Sequence, residues 1–233
     1  MKNQFNKIFA AIAILLAIIT TSGYAQVTPA TEGVKFFCHD AGDYDLGTPT
    51  NVGPNSRWVV RHSTTPLVIE NIGATMPITL TGTGNSIPAA NLVTGYLYIS
   101  IISDETCESL PEIIPIYKFA QLTAAITGAD DYCEENPTTF TATPTSSDAY
   151  TTFAYQWYTF DGTDETAIVG ATNSTYTPAG LLAGNTTSYK VRIGYLVSSE
   201  KYCSNLSAAE AVSVTAKPSK PTITVSGIGG ETW

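Results

Sequence analysis

The sequence predicts an all-β chain built as two tandem β-sandwich modules behind an N-terminal export signal. Three observations lead there. First, the 233 residues hold an internal repeat, since Cys38 to Cys133 spans 95 positions and Cys107 to Cys203 spans 96. A period near 100 residues is that of small sandwich domains in tandem. Second, apolar and polar residues alternate with period two in many short runs, the mark of half-buried strands, and long 3.6-period stretches are missing beyond the first 25 residues. Third, threonine is plentiful, and 18 glycines and 13 prolines supply turns between strands.

At the N-terminus, Lys2 and Lys7 precede an apolar run from Ile8 to Ile19, and a polar stretch ends in Gly23-Tyr24-Ala25. This is the order of a secretory signal peptide, residues 1–25, with cleavage after Ala25. The apolar run has 12 residues, short of the roughly 20 that cross a bilayer. No cysteine follows the small-residue site, so no lipid anchor is indicated there. No second long apolar run exists, and the mature chain is expected to have no membrane span. Loss of Lys2 and Lys7 lowers the formal net charge of −9 by two, to −11. Nucleic acid and anionic membrane surfaces both need a basic footprint, so neither is an expected partner. The expected location is outside the cytoplasm, extracellular or at the cell surface, with the periplasm the alternative.

Export places the four cysteines where disulfides form, and four cysteines allow three connectivities. The repeat chooses among them, because each module owns one early and one late cysteine. The expected bonds are Cys38 with Cys107 and Cys133 with Cys203. Other landmarks repeat as well. Phe37-Cys38 answers Tyr132-Cys133, Trp58 answers Trp157, and "TGYLYISI" (94–101) answers "TSYKVRIG" (187–194), which aligns Tyr96 with Tyr189. The first module is expected over 26–121 and the second over 122–218, with 219–233 opening a truncated third module or a tail.

Within the second module the strands can be read one by one. "TTFTAT" (138–143) puts Phe140 and Ala142 on one face, and "FAYQWYTF" (153–160) puts Phe153, Tyr155 and Trp157 on one face, with Asp161-Gly162 as a turn. "TAIVGA" and "STYTP" are shorter candidates, "SYKVRIGYLV" (188–197) is the longest, and "AEAVSVTA" (209–216) closes the module. Six or seven short strands with turns between them make a sandwich.

At Tyr155-Gln156-Trp157 and Tyr189-Lys190-Val191 the chain resembles an immunoglobulin-like domain. The resemblance gives Trp157 the place of the core tryptophan and Tyr189 that of the tyrosine corner. It departs from antibody-type domains at their inter-sheet disulfide, where Val191 and Phe140 stand instead. The run Cys133, Tyr155-Gln156-Trp157, Gly170-Ala171-Thr172, Tyr189-Lys190-Val191, Cys203 is similar to the immunoglobulin-like repeats of large secreted and surface proteins of Bacteroidetes-type bacteria. It covers residues 122–218. Over 26–121 "RWVVRH" lacks the glutamine and Gly-Ala-Thr has no counterpart. The resemblance implies two immunoglobulin-like modules with Trp58, Trp157, Tyr96, Tyr189 and Val191 in their cores.

"CHDAGDYDLG" (38–47) is the densest run of chemically active side chains. A catalytic reading lacks partners, for the chain has only His39 and His62 and no G-x-S-x-G elbow. Zinc is disfavoured because the cysteines are assigned to disulfides and the histidines lack ligand spacing. Asp40, Asp43 and Asp45 are hard oxygen ligands on a glycine-containing loop, and Asp104, Glu105 and Glu108 would join them across the expected disulfide. A weak calcium site is therefore the alternative to a solvated acidic rim. No other cofactor is indicated. Tyr158 and Phe160 have the opposite parity to Trp157 and form the one expected exposed aromatic patch. Two functions follow. One is a non-catalytic structural or adhesion segment of a larger exported protein; the other is a carbohydrate- or substrate-binding accessory module of an exported enzyme. Either has a protein or glycan ligand that the sequence does not name.

Overall fold

A computed structural model describes residues 26–50, 53, 55–103 and 107–223. The signal peptide, Asp104, Glu105 and residues 224–233 of the expected third module lie outside the described residues. The chain forms two compact units, one ending at Gln121 and one beginning at Leu122. No described helix is long and apolar enough to cross a membrane.

In the first unit the strands are β1 (Lys35–Phe37), β2 (Tyr44–Asp45), β3 (Arg57–Ser63), β4 (Ser86–Ile87), β5 (Gly95–Ser103), β6 (Cys107–Glu108) and β7 (Glu112–Lys118). The main sheet has the order β1-β7-β5-β3, with β6 on β5, and β2 pairs with β4 opposite it. First and last strands run parallel, Phe37 beside Lys118. Val60, Leu97, Ile99 and Ile116 point inward and close a core with Ile87 and Leu92. Trp58 is half-buried against this core and its Nε1 donates to the Gly47 carbonyl at 2.8 Å.

Alternation along β5 corrects one expectation. Leu97 and Ile99 take the inward positions, so Tyr96 belongs to the outer face and is half-buried there rather than in the core. That outer face is itself covered. Residues 64–76, with the short helix α1 (Ile69–Ile72), lie over it: the Leu67 amide donates to the Tyr98 hydroxyl at 2.7 Å, and Arg61 Nε donates to the Thr75 carbonyl at 3.2 Å. Beneath the cover, Arg61 is 7% exposed and its guanidinium grips the Glu108 carboxylate with both NH groups. Ser100 donates to the same carboxylate. The guanidinium first, and the Ser100 hydroxyl with it, hold the Glu108 carboxyl below its usual range against the opposing effect of burial.

The second unit repeats the order of the main sheet and adds a strand to each of the two sheets. They are β8 (Leu122–Thr127), β9 (Tyr132–Cys133), β10 (Phe140–Ser146), β11 (Phe153–Phe160), β12 (Glu165–Ala167), β13 (Thr175–Tyr176), β14 (Thr186–Val197), β15 (Glu200–Leu206) and β16 (Glu210–Thr215). One sheet is β13-β10-β8; the other is β12-β11-β14-β16-β9, with β15 continuing beside β14. Again a first strand runs parallel to the last, Tyr132 beside Val214. The two sheets face each other across an aromatic core, the arrangement of an immunoglobulin-like sandwich. Trp157 and Val191 are fully buried and Tyr189 is 2% exposed. The Phe140 ring lies 6.2 Å from Trp157 and 5.1 Å from Tyr189, and Trp157 Nε1 donates to the Asn173 carbonyl at 2.9 Å. Burial, then the nearby phenols of Tyr176 and Tyr132, push the Tyr189 hydroxyl up to about 12.

The same register overturns the expected disulfides. Cys133 is an exposed thiol whose sulfur accepts from the Thr215 hydroxyl at 3.6 Å, whereas Cys203 is not a thiol. Neither Cys38 with Cys107 nor Cys133 with Cys203 is formed. The reason is distance along the strands. Cys133 pairs with Thr215, past the level of Thr186, whereas Cys203 follows Tyr202, which pairs with Tyr195. The stretch from Thr186 to Tyr195 spans about 30 Å at about 3.3 Å per residue. A disulfide needs Cα atoms within about 7 Å. In the first unit, likewise, Cys38 follows Phe37 beyond the Gly95 end of β5 and Cys107 pairs with Ser103 at the other end. Early and late cysteines therefore occupy opposite ends of each sandwich.

Candidate functional site: an open cationic sheet face

The acidic run 38–47 is built into the fold. Asp43 accepts from the Thr81 hydroxyl at 2.7 Å and from the Ala89 amide at 2.9 Å, tying the loop before β2 to the segments flanking β4. Those two bonds, Thr81 first, hold its carboxyl below the usual range. Asp45 accepts from the Gly47 amide at 2.8 Å, a side-chain-closed turn that needs glycine, since Gly47 has φ +70°. Asp40 lies 3.7 Å from His39. Glu108, expected near this loop, is held by Arg61 at the far end of β5. Among the described residues no three His, Cys, Asp or Glu side chains converge to hold a metal ion. His62, half-buried, is hydrogen-bonded to the Val93 carbonyl at 3.1 Å, and burial pushes its pKa down.

Two of the clefts among the described residues combine aromatic rings with polar side chains. One, about 440 Å³ in the first unit, is lined by Tyr44, Asp45, Trp58, Ile101 and Leu110 among others. In it the Asp45 carboxylate is turned to the Gly47 amide and the Trp58 N–H to the Gly47 carbonyl.

The other lies on the outer face of the larger sheet of the second unit. Here β11 and β14 run antiparallel with Gln156 opposite Arg192, Tyr158 opposite Lys190 and Phe160 opposite Ser188. Side chains at alternate positions share a face, so Gln156, Tyr158 and Phe160 stand on the side away from Trp157. Both cations reach diagonally toward the next ring along the partner strand. Lys190 Nζ sits 3.6 Å from the centroid of Phe160, and the Arg192 guanidinium 5.8 Å from that of Tyr158. The aromatic patch expected at Tyr158 and Phe160 is therefore on this face, but its rings are overlain by cations. Lys190 also pairs with Glu165 of β12 at 2.9 Å.

Beyond Arg192 the face continues to β15. Gly194 has no side chain, and a Cβ there would lie 3.2 Å from both Ser204 Cβ and the Tyr202 carbonyl oxygen. The glycine thus lets β15 close onto β14 at the bulge between Ile193 and Tyr195. The result is a shallow cleft of about 360 Å³ whose rim includes Gln156, Tyr158, Arg192, Lys201 and Ser204. The Gln156 amide donates to the Trp157 and Ile168 carbonyls at 2.9 Å each, which fixes the side chain and leaves its oxygen as an acceptor. Arg192, Lys201 and Ser204 are exposed donors. Sequence parity located the aromatics of this face; the cations escaped notice because Arg192 and Lys201 come together only through the pairing of β14 with β15.

This face is open in the second unit and covered in the first. Residues 64–76 lie over the first sheet, whereas the corresponding link in the second unit forms β12 at the sheet edge.

No protein family and no curated protein matches the sequence. Among solved structures, the chain is similar to the N-terminal four Ig domains of Dscam1 isoform 4.44, at 14% identity and a TM-score of 0.34, over 80% of this chain and 45% of that one. It is similar also to the fibronectin(III)-like modules of Clostridium thermocellum CbhA, at 13% identity and a TM-score of 0.39, over 81% of this chain and 92% of that one. A marsupial T cell receptor matches at 10% identity and a TM-score of 0.44, over 81% of this chain and 73% of that one. The chain spans less than half the length of the Dscam1 structure. The strand order and buried core described above carry the fold assignment.

Proposed function

We propose that the chain is a non-catalytic immunoglobulin-like module protein, exported and displayed at a bacterial surface as a structural and adhesive segment of a larger protein. The observation that carries this reading is that the strand order of the main sheet, with its first and last strands parallel, recurs in two successive units, while several acidic side chains are tied into the frame. Asp43 ties its loop to the segments flanking β4, Asp45 closes a turn, Glu108 neutralises Arg61, and Asp161 accepts from the amides of Thr163 and Asp164 at 2.9 and 2.7 Å. Groups so engaged hold loops and strands rather than activate a substrate. The similarity of residues 122–218 to repeats of Bacteroidetes-type surface proteins supports the compartment.

A second reading, a carbohydrate-binding accessory module, is favoured by the open face of β11, β14 and β15. Both readings share binding without turnover, and one experiment tests that. Incubated with glycans and matrix proteins, the protein is expected to retain its ligand and return it with unchanged mass by mass spectrometry. A ligand returned cleaved or modified overturns the non-catalytic reading.

A further inference from the structure

We infer that the outer face of β11, β14 and β15 binds a carboxylate-bearing polysaccharide, with Arg192 and Lys201 holding the carboxylates. This rests on the reading of the chain as a non-catalytic binding module and names the chemistry of its ligand.

Charge segregation is the first support. Between residues 122 and 218 the sequence has ten acidic residues and four basic ones. Three of the four, Lys190, Arg192 and Lys201, lie on this one face, and the fourth, Lys217, pairs with Glu135 elsewhere. Of the three, Lys190 is matched by Glu165. Among the described residues neither Arg192 nor Lys201 has a carboxylate within 4.0 Å. Two unmatched cations thus share one face of a module whose net charge is negative, so the attraction for an anion is local to that face.

Preorganisation is the second. Arg192 lies toward the Tyr158 ring, and its planar fork of donors suits a carboxylate better than a flexible ammonium would. Lys201 and the Ser204 hydroxyl stand beside it on the rim, and the fixed Gln156 oxygen adds an acceptor. Donors for a carboxylate, a hydroxyl that serves either way and an acceptor for a hydroxyl together match a uronic acid unit rather than a bare anion.

The backbone beneath the cleft favours a glycan over a peptide. The floor of the cleft is made by β11 and β14, which are interior strands, with β12 on one side and β15 and β16 on the other. Their amides and carbonyls are engaged with one another and with the flanking strands, so a peptide lying on this floor has no edge to pair with, and the edge of β15, which among the described residues pairs only with β14, lies at the rim. Recognition on the floor of the cleft is by side chains.

The test uses the whole protein and three polymers: polygalacturonate, its fully methyl-esterified form and poly-L-glutamate. Titration calorimetry is expected to show polygalacturonate binding that weakens as salt rises, because the contacts are exposed and charged. Esterification keeps the sugar backbone and removes the charge, and should weaken binding at least about tenfold, as should R192Q and K201Q singly. Both substitutions are at exposed positions, so melting temperatures should stay unchanged. K217Q, off the face, should bind like the wild type, and poly-L-glutamate should not compete. The inference is overturned if polygalacturonate does not bind, if the ester binds equally, if R192Q and K201Q bind like the wild type, or if poly-L-glutamate displaces the glycan, which would make this an acidic-peptide surface. Absence of binding leaves the non-catalytic reading standing; cleavage of bound polygalacturonate overturns that reading and leaves the face as a binding site.

Discussion

Trp157 and Tyr158 are neighbours in sequence with opposite fates, one fully buried between the sheets and the other half-exposed beneath Arg192. Replacing Trp157 by alanine empties the centre of the core and should cost about 3 to 5 kcal/mol. Tyr158→Ala removes an outer-face ring and should cost less than about 1 kcal/mol. Urea unfolding of the two variants reads both numbers, and the reverse order would mean that β11 is slipped by one residue. The aromatic core of the second module was legible because its rings fall at alternate positions of long strands. Arg61 and Glu108 were not, since they lie far apart in sequence and meet only when β5 pairs with both β3 and β6. Tyr96 was misread for a related reason. Its alignment with Tyr189 matches residue types, but Leu97 and Ile99 hold the inward positions of β5.

Sandwich strands are set by alternation, and sheet order by which ends the turns bring together. Alternation was readable in "FAYQWYTF" and "SYKVRIGYLV", whereas β2, β4 and β6 are two-residue strands with too few positions to show a period. The helix α1 also went unseen, being one turn long over "IENI". The cysteine repeat was real, yet spacing says nothing about which end of a strand a residue reaches. Because β9 runs beside the end of β16 and β15 beside the end of β14, Cys133 stands at one end of the second sandwich and Cys203 at the other. Alkylation before reduction, followed by peptide mapping, should find Cys133 modified. A peptide joining Cys133 to Cys203 would contradict the register of β14 with β15 and β16.

Across the molecule, one sandwich is used twice with different outer surfaces. In the first unit residues 64–76 cover the sheet and Arg61 is matched beneath them by Glu108. In the second the same side is left open, and its cations face solvent within an acidic chain. Composition alone hid this, because a formal net charge of −9 averages over a basic face that exists only once β11, β14 and β15 are assembled. The proposed ligand site therefore lies in the second module, and NMR titration of the isotope-labelled protein with polygalacturonate oligomers tests it most directly. Amide shifts should move at Gln156, Tyr158, Arg192, Lys201 and Ser204 and stay still in the first module. Shifts clustered around Asp45 and Trp58, or on β8, β10 and β13, would contradict it.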